Sequence, residues 1–362
     1  MKGKLVLKIK KIIYYYFNLF NYREKKAIES VIDITSKQEQ QFQDSKFTVG
    51  ILKEKWHLHS NFIKACNELK VSYQVIDFFS KDGLEDLKAA PIDVLIARPS
   101  VQYTPWKDMF DNRLKLLKDN GTVPVFPNFN ALWIWESKLR TIDFLKLNNL
   151  PHPKSYIFYD MQEVFNFASS YTYPLVYKAS SGSGASGVKI LNSASQLKSI
   201  TKKVFGKGVR SYRKHKLDKE HGFIILQDYI RDVKEWRIIR IGDYYFGFEK
   251  LKNGEFHSGS QNFGYGMPPI ECLELVKNIT ETHLFKFVSI DIFISSENEY
   301  FINEIQPYFG QKDDRELLVV KGKPGRLSYN QTNNSWDFEE GMFCKNNLCN
   351  LRLQQILKII DN

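Results

Sequence analysis

Two segments about a hundred residues apart constrain this chain more than any other part of it. The first is Pro174-Leu-Val-Tyr-Lys178, followed by Ala179-Ser-Ser-Gly-Ser-Gly-Ala-Ser-Gly-Val188. It reads as a strand ending in a lysine, then a glycine- and serine-rich loop, then a second strand from Val188. Glycine tolerates backbone angles that side chains disfavour and adds no bulk. Such a loop can therefore bring several N–H groups up to phosphate oxygens. The second segment runs from Ser289-Ile-Asp291 to Tyr300-Phe-Ile-Asn-Glu304-Ile-Gln306-Pro307. Two apolar strands end there in the hard oxygen donors Asp291, Glu304 and Gln306, a set suited to Mg²⁺ held with nucleotide phosphates. A phosphate cradle followed by a metal shelf implies ATP chemistry.

The order of the parts excludes two commoner phosphate sites. A Walker loop needs Gly-Lys-Ser/Thr at its end, and a dinucleotide fingerprint needs a helix directly after the glycines. Here the lysine precedes the glycines and a strand follows them.

From about Phe47 to Gln311 the chain resembles the ATP-grasp superfamily, which includes D-alanine–D-alanine ligase and glutathione synthetase. Glu136-Ser-Lys138, a helix and Leu150-Pro-His-Pro153 look like the family's first phosphate lysine and the approach to its lid. Lys178 resembles the second lysine, and the loop of Ser181, Gly182, Ser183, Gly184, Ala185 and Ser186 resembles the cover over the triphosphate. Ile224-Ile-Leu-Gln227-Asp228-Tyr229-Ile230 resembles the hinge strand whose backbone meets adenine. Glu235-Trp-Arg237 falls where the family places a ribose-binding acid and a nearby basic residue. Asp291, Glu304 and Gln306 fall on the Mg²⁺ triad, Gln306 departing from the usual asparagine by one methylene. Lys250 matches a basic residue for the transferred phosphate, and Ser258, Gly259 and Ser260 match loosely a loop near the acceptor.

The resemblance implies an α/β protein of ATP-grasp architecture, binding ATP and Mg²⁺. Its expected organisation is an N-terminal extension (1–45), an α/β domain (46–130), a lid subdomain (131–226), a catalytic subdomain (227–312) and a C-terminal extension (313–362). The implied activity joins a carboxylate to an amine as an amide through an acyl phosphate. Lys138 and Lys178 would hold the phosphates, and Arg237 and Lys250 would stabilise the acyl phosphate and the tetrahedral intermediate. A kinase acting on a hydroxyl, or a lapsed nucleotide-binding protein, stays open as an alternative; Gln306 is the main support for the last.

The body alternates strand and helix, with strands at Phe47–Leu52, Ser72–Asp77, Val94–Ala97 and Val123–Phe126. This is the pattern of a doubly wound unit, whose ligands bind at the carboxyl ends of the strands. Arg98, just past the third strand, is the candidate there for a substrate carboxylate or phosphate. Trp56, His57 and His59 also lie at that edge; a loop or helix-cap role is expected for the two histidines. Beyond Gln311 the chain is polar and punctuated, ends in a helix over about 348–360, and reads as a packing appendage.

With 43% hydrophobic and 14% aromatic residues the chain is globular. Its net charge of +11 comes from scattered lysines and arginines with no nucleic-acid motif, so solvated surface and a funnel for anionic substrates account for it. Four irregularly spaced cysteines make no disulfide framework and fit a reducing, cytoplasmic compartment. Residues 1–45 combine Lys2, Lys4, Lys8, Lys10 and Lys11 with a Tyr/Phe run at 14–20. Two readings follow: a helix docked on the first domain or in a homodimer contact, or a helix lying peripherally on the inner membrane face. The second suits a cell-envelope or polysaccharide precursor as substrate.

Overall fold

A computed structural model describes residues 38–182, 184–210, 215, 217–252, 254, 257, 262–311 and 315–361. The expectations for residues 1–37, Ser183, Ser258, Gly259 and Ser260 lie outside them.

The first sheet is built from strands β1 (Glu39–Gln40), β2 (Thr48–Leu52), β3 (Ser72–Ile76), β4 (Val94–Ile96) and β5 (Val125–Phe126) in the order β1-β3-β2-β4-β5. The last four are mutually parallel, and β1 adds an antiparallel edge that the sequence pattern did not show. Parallel neighbours need crossover connections, and helices α1 (Ser60–Leu69), α2 (Gly83–Ala89) and α3 (Thr104–Asn120) supply them. Val49, Ile51, Leu52, Val94, Leu95 and Ile96 are all buried, as continuous apolar runs in such a sheet require.

Two short helices, α4 (Phe129–Ile134) and α5 (Lys138–Leu147), lead to a second sheet. It contains β6 (Ser155–Phe158), β7 (Leu175–Lys178), β8 (Val188–Leu191) and β9 (Ile224–Asp228), all antiparallel in the order β6-β9-β7-β8. Helices α6 (Met161–Ser170) and α7 (Ala194–Phe205) pack on it. Leu175, Tyr177, Leu197, Val204 and Leu226 form a core of its own, separate from the rest of the molecule.

The third sheet begins with the hairpin β10 (Lys234–Ile241) and β11 (Tyr244–Lys250), turning at Gly242-Asp243. β12 (Phe263–Gly264) pairs with β11, and helix α8 (Ile270–Thr282) leads to β13 (Phe287–Ile294) and β14 (Tyr300–Gln306). Strands β15 (Val319–Val320), β16 (Lys323–Asn330) and β17 (Ser335–Glu340) then extend it through pairing of β16 with β11. The segment past residue 313 is thus part of the sheet. Its last helix, α9 (Cys349–Asp361), packs on α1 and β10. The first and third sheets share one apolar core, from Val49 to Ile356. Among the described residues no helix is long and apolar enough to cross a membrane. The four cysteines are buried free thiols.

Candidate active site

A cleft opens between the second and third sheets, with the glycine-rich loop at one end. Lys178, the last residue of β7, enters the loop. Ala179 N–H donates to the Gly187 carbonyl at 2.8 Å, which closes the loop at its base. A Cβ on Gly187 would lie 2.6 Å from that of Ala179, so the approach requires glycine. Gly184 and Ala185 follow one another at φ of +58° and +56°, a left-handed turn that costs alanine roughly 1 kcal/mol. Gly182, Gly184 and Ala185 line the cleft, whereas Ser181 lines a neighbouring depression beside Glu220.

The two lysines share the loop end of the cleft. Lys138 opens α5, where the Ser137 hydroxyl caps the helix by accepting from Arg140 N–H at 3.3 Å. Its own N–H donates to the Ser180 carbonyl at 2.7 Å and its Nζ to the Gly182 carbonyl at 2.9 Å. Lys178 is buried, and its Nζ donates to Asn303 Oδ1 at 2.8 Å. Burial, then the positive charge of Lys138, pull the Lys178 pKa down to about 8. Neither lysine has a carboxylate within ion-pair distance among the described residues.

The opposite wall is organised by strand register. Glu235 pairs across the hairpin with Lys250, Arg237 across β13 with Asp291, and Asp291 across β14 with Glu304. Asp291 is fully buried and held bidentately by Arg237, Nε to Oδ1 at 2.7 Å and Nη2 to Oδ2 at 2.8 Å. Lys250 Nζ bonds the same Oδ2 at 2.9 Å and forms an ion pair with Glu235. Burial opposes ionisation, yet the two cations hold the Asp291 carboxyl well below the usual range. The Lys250 pKa is shifted upward: burial opposes its charge, and Asp291 and Glu235 outweigh it.

A register irregularity sets the last part of the wall. Asp291 pairs with Glu304 but Ile292 with Ile302, so Asn303 is an extra residue in the ladder. Such a bulge re-aims side chains, and here Asn303 and Glu304 both line the cleft. Asn303 bridges Lys178 and, through Nδ2 at 3.4 Å, Glu235. Burial pushes the Glu304 pKa up, and no hydrogen bond to it is found among the described residues. Gln306 lies in an adjoining cavity with Arg98. Its amide oxygen, oriented toward Arg237, accepts from Nη2 at 2.7 Å while its nitrogen donates to the Tyr308 carbonyl at 3.3 Å.

The cleft is also lined by the apolar side chains of Val176, Val188, Ile190, Val233 and Phe293. Gln227, Asp228, Tyr229 and Ile230 run along its edge, and Tyr229 and Ile230 lie past the last ladder pair of β9. The Gln227 side chain donates to Ser155 Oγ at 2.9 Å, and Asp228 accepts from the Tyr171 hydroxyl at 2.7 Å.

Residues 138–227 match the family described as carbamoyl-phosphate synthase L chain, ATP binding domain. Among solved structures, D-alanine–D-alanine ligase from Bacillus anthracis complexed with ATP aligns at a TM-score of 0.56 and 15% identity, over 87% of this chain and 99% of that one. The chain carries the ATP-grasp fold. N5-carboxyaminoimidazole synthetase from Staphylococcus aureus aligns with it at 0.52 and 14% identity, over 80% and 84% of the two chains. The biotin carboxylase domain of 2-oxoglutarate carboxylase from Hydrogenobacter thermophilus, in complex with MgADP and bicarbonate, aligns at 0.52 and 14%, over 75% and 65%. No curated protein matches the chain in sequence.

Within this ATP-grasp frame the structure adds residues that sequence reasoning missed. Glu220 accepts the Ser180 N–H at 2.6 Å and anchors the loop; burial lifts its pKa to about 7. His257 is buried at the cleft, Nδ1 hydrogen-bonded to the Lys250 carbonyl at 2.6 Å and Nε2 without a partner among the described residues. Neither sits in a repeated spacing that a single sequence could reveal. Of the two histidines at the first sheet's edge, His59 serves its loop by accepting the Glu54 N–H on Nδ1 at 3.0 Å. Burial lowers its pKa to about 3, so it stays neutral there.

Proposed function

We propose that this ATP-grasp protein is a ligase that joins a carboxylate to an amine, using ATP to make the carboxylate a leaving group as an acyl phosphate. The observation that carries this reading is the pair Lys138 and Lys178 at the glycine loop, which share the cleft with Glu304 and have no carboxylate at ion-pair distance among the described residues. Two cations held close together with no carboxylate partner are costly unless an anion with several charges enters. A triphosphate is such an anion. The apolar stretch beside Tyr229 and Ile230 would take the adenine, and Glu235, which lines the same cleft, would meet the ribose.

Glu304 and Asp291, hard oxygen donors paired across two strands, suit Mg²⁺. Glu304 faces the cleft and would hold the ion directly. Asp291 is gripped by Arg237 and Lys250, so it would join only as those cations turn to phosphate. Gln306, in the adjoining cavity, is less suited to the same ion. When bound, the metal would neutralise β- and γ-phosphate charge. The protein's own share is to hold the phosphates on Lys138 and Lys178, cover them with the 180–187 loop, and keep water from the acyl phosphate.

The test is turnover with MgATP and a panel of carboxylic acids, with hydroxylamine in place of the amine. ADP release that needs the acid, with formation of a hydroxamate, is the expected result. A stable phosphorylated alcohol would point to the kinase alternative, and nucleotide binding with no turnover across a broad panel would point to a lapsed enzyme. The envelope-precursor reading rests on residues 1–45, which lie largely outside the described chain, and is tested by sedimentation with anionic vesicles.

A further inference from the structure

The cavity adjoining the cleft contains two arginines, Arg98 and Arg352, with no acid at ion-pair distance among the described residues. Arg98 follows β4 at the carboxyl edge of the parallel sheet, and Arg352 projects from α9 near the chain's end. Both guanidiniums pack over the ring of Tyr308, at 4.6 Å and 4.9 Å from its centroid. The ring is itself fixed, its hydroxyl donating to the Ala97 carbonyl at 3.0 Å. Arg352 is 3% exposed, and among the described residues its guanidinium makes one hydrogen bond, from Nη2 to the Pro307 carbonyl at 2.8 Å. Two acids lie near. Glu54 is buried and already accepts from Gln102 Nε2 at 2.7 Å and from two backbone N–H groups, and Glu136 sits at the junction with the cleft.

A buried guanidinium without a carboxylate, close to a second one, is a poor arrangement for stability. A tyrosine face offsets part of that cost. Arginine pairs are suited to carboxylate and phosphate, whose oxygens match the planar fork. The cavity also meets the chemistry at one point: Gln306 lines it, and Gln306 accepts from the arginine that clamps Asp291 beside Glu304.

We propose that this cavity binds the acid substrate, and that Arg98 and Arg352 hold a second anionic group on it, a carboxylate or a phosphate, remote from the carboxyl that is activated. This deepens the ligase reading and rests on it for the identity of the ligand as substrate. It also gives the C-terminal helix a role in recognition beyond packing.

The experiment is calorimetric binding of succinate and of inorganic phosphate to the whole protein, in four forms: wild type, Arg98→Gln, Arg352→Gln and Lys178→Met. Wild type is expected to bind at least one of the two anions, each arginine variant to lose on the order of 10-fold or more, and Lys178→Met, which removes any phosphate held at the lysine pair, to keep the arginine-dependent binding. Preference for succinate assigns a dicarboxylic acid, and preference for phosphate assigns a phosphorylated one. Both arginine variants should retain ATP binding, which separates loss of the cavity from loss of the fold. Should Arg352→Gln fail to fold, Arg98→Gln and Arg352→Lys carry the test, the latter keeping the charge without the fork. Anion binding that ignores the arginines, or that vanishes with Lys178→Met, overturns the proposal. Because no turnover is measured, failure of the ligase reading leaves this result standing on its own.

Discussion

Two buried lysines at the candidate cleft, Lys178 from the second sheet and Lys250 from the third, have opposite surroundings. On the loop side the Lys178 ammonium is hydrogen-bonded to the neutral amide of Asn303 with no carboxylate at ion-pair distance among the described residues, and burial lowers its pKa to about 8. On the sheet side Lys250 is bound to Glu235 and Asp291, and its pKa rises. Burial is similar, so the difference comes from partners. On the sheet wall Lys250 and Arg237 balance Glu235 and Asp291, whereas Lys178 on the loop wall lacks a paired counter-charge among the described residues. Packing follows the same division: the sheet that supplies Lys250 shares the large core with the first sheet, and the sheet that supplies Lys178 has a small core of its own. The balanced wall holds the scaffold, and the other is where a ligand's charge is needed.

The largest expected effect separates the two lysines by stability. Lys250→Met leaves buried carboxylates short of a cation and should cost about 3–5 kcal/mol in urea unfolding. Lys178→Met removes a buried charge without a carboxylate and should change stability by less than about 1 kcal/mol in either direction. Equal losses would erase the distinction.

Next in size is nucleotide affinity. Loss of one charge-assisted contact from Lys178 should weaken MgATP binding by roughly 10- to 100-fold, measured by calorimetry. An unchanged affinity would remove Lys178 from the phosphate site.

A smaller effect is expected from pH. The unfolded chain keeps the lysine proton to about 10.5, while the folded, nucleotide-free protein releases it from Lys178 near 8. Between those values the unfolded state binds more protons, so stability should rise with pH across that window. MgATP affinity should fall as pH rises above about 8, because binding favours the charged lysine. A Lys178→Arg variant should lose that decline, arginine remaining protonated throughout. Thermal melts and titrations at pH 7 to 10 check both.

The smallest effect belongs to Asn303. Asn303→Asp would place a carboxylate on Lys178, converting the loop side toward the sheet side. Its lysine pKa should rise, and MgATP affinity should fall by only a few-fold as the new charge competes with phosphate. A gain in affinity would contradict the comparison.

Much of this division was legible in the chain before its structure. The order lysine, glycine loop, strand identified Lys178, and the resemblance singled out Glu235 and Lys250, whose pairing became visible only in the register of the hairpin that turns at Gly242-Asp243. The fold class and the alternation of the first sheet were equally readable, since buried parallel strands leave unbroken apolar runs. Asn303 was not readable. Its place in the cleft depends on the bulge against Asp291 and Ile292, and nothing in Ile-Asn-Glu-Ile-Gln marks an extra residue. The strands at 323–340 were missed because exposed residues such as Asp337, Glu339 and Glu340 break the apolar pattern expected of a strand. Arg352 was missed for another reason: its surroundings are assembled from the first sheet, Tyr308 and the last helix, which are far apart in sequence.

The loop side of the cleft lacks a charge that MgATP would supply. Proton uptake on MgATP binding measures this most directly, by calorimetry near pH 8 in buffers of differing ionisation enthalpy. The account predicts uptake of about half a proton by the wild-type protein, since Lys178 is half protonated there before binding and fully protonated after it. It predicts no uptake by Lys178→Arg. Binding with no proton uptake in the wild type, or with the same uptake in Lys178→Arg, would contradict it.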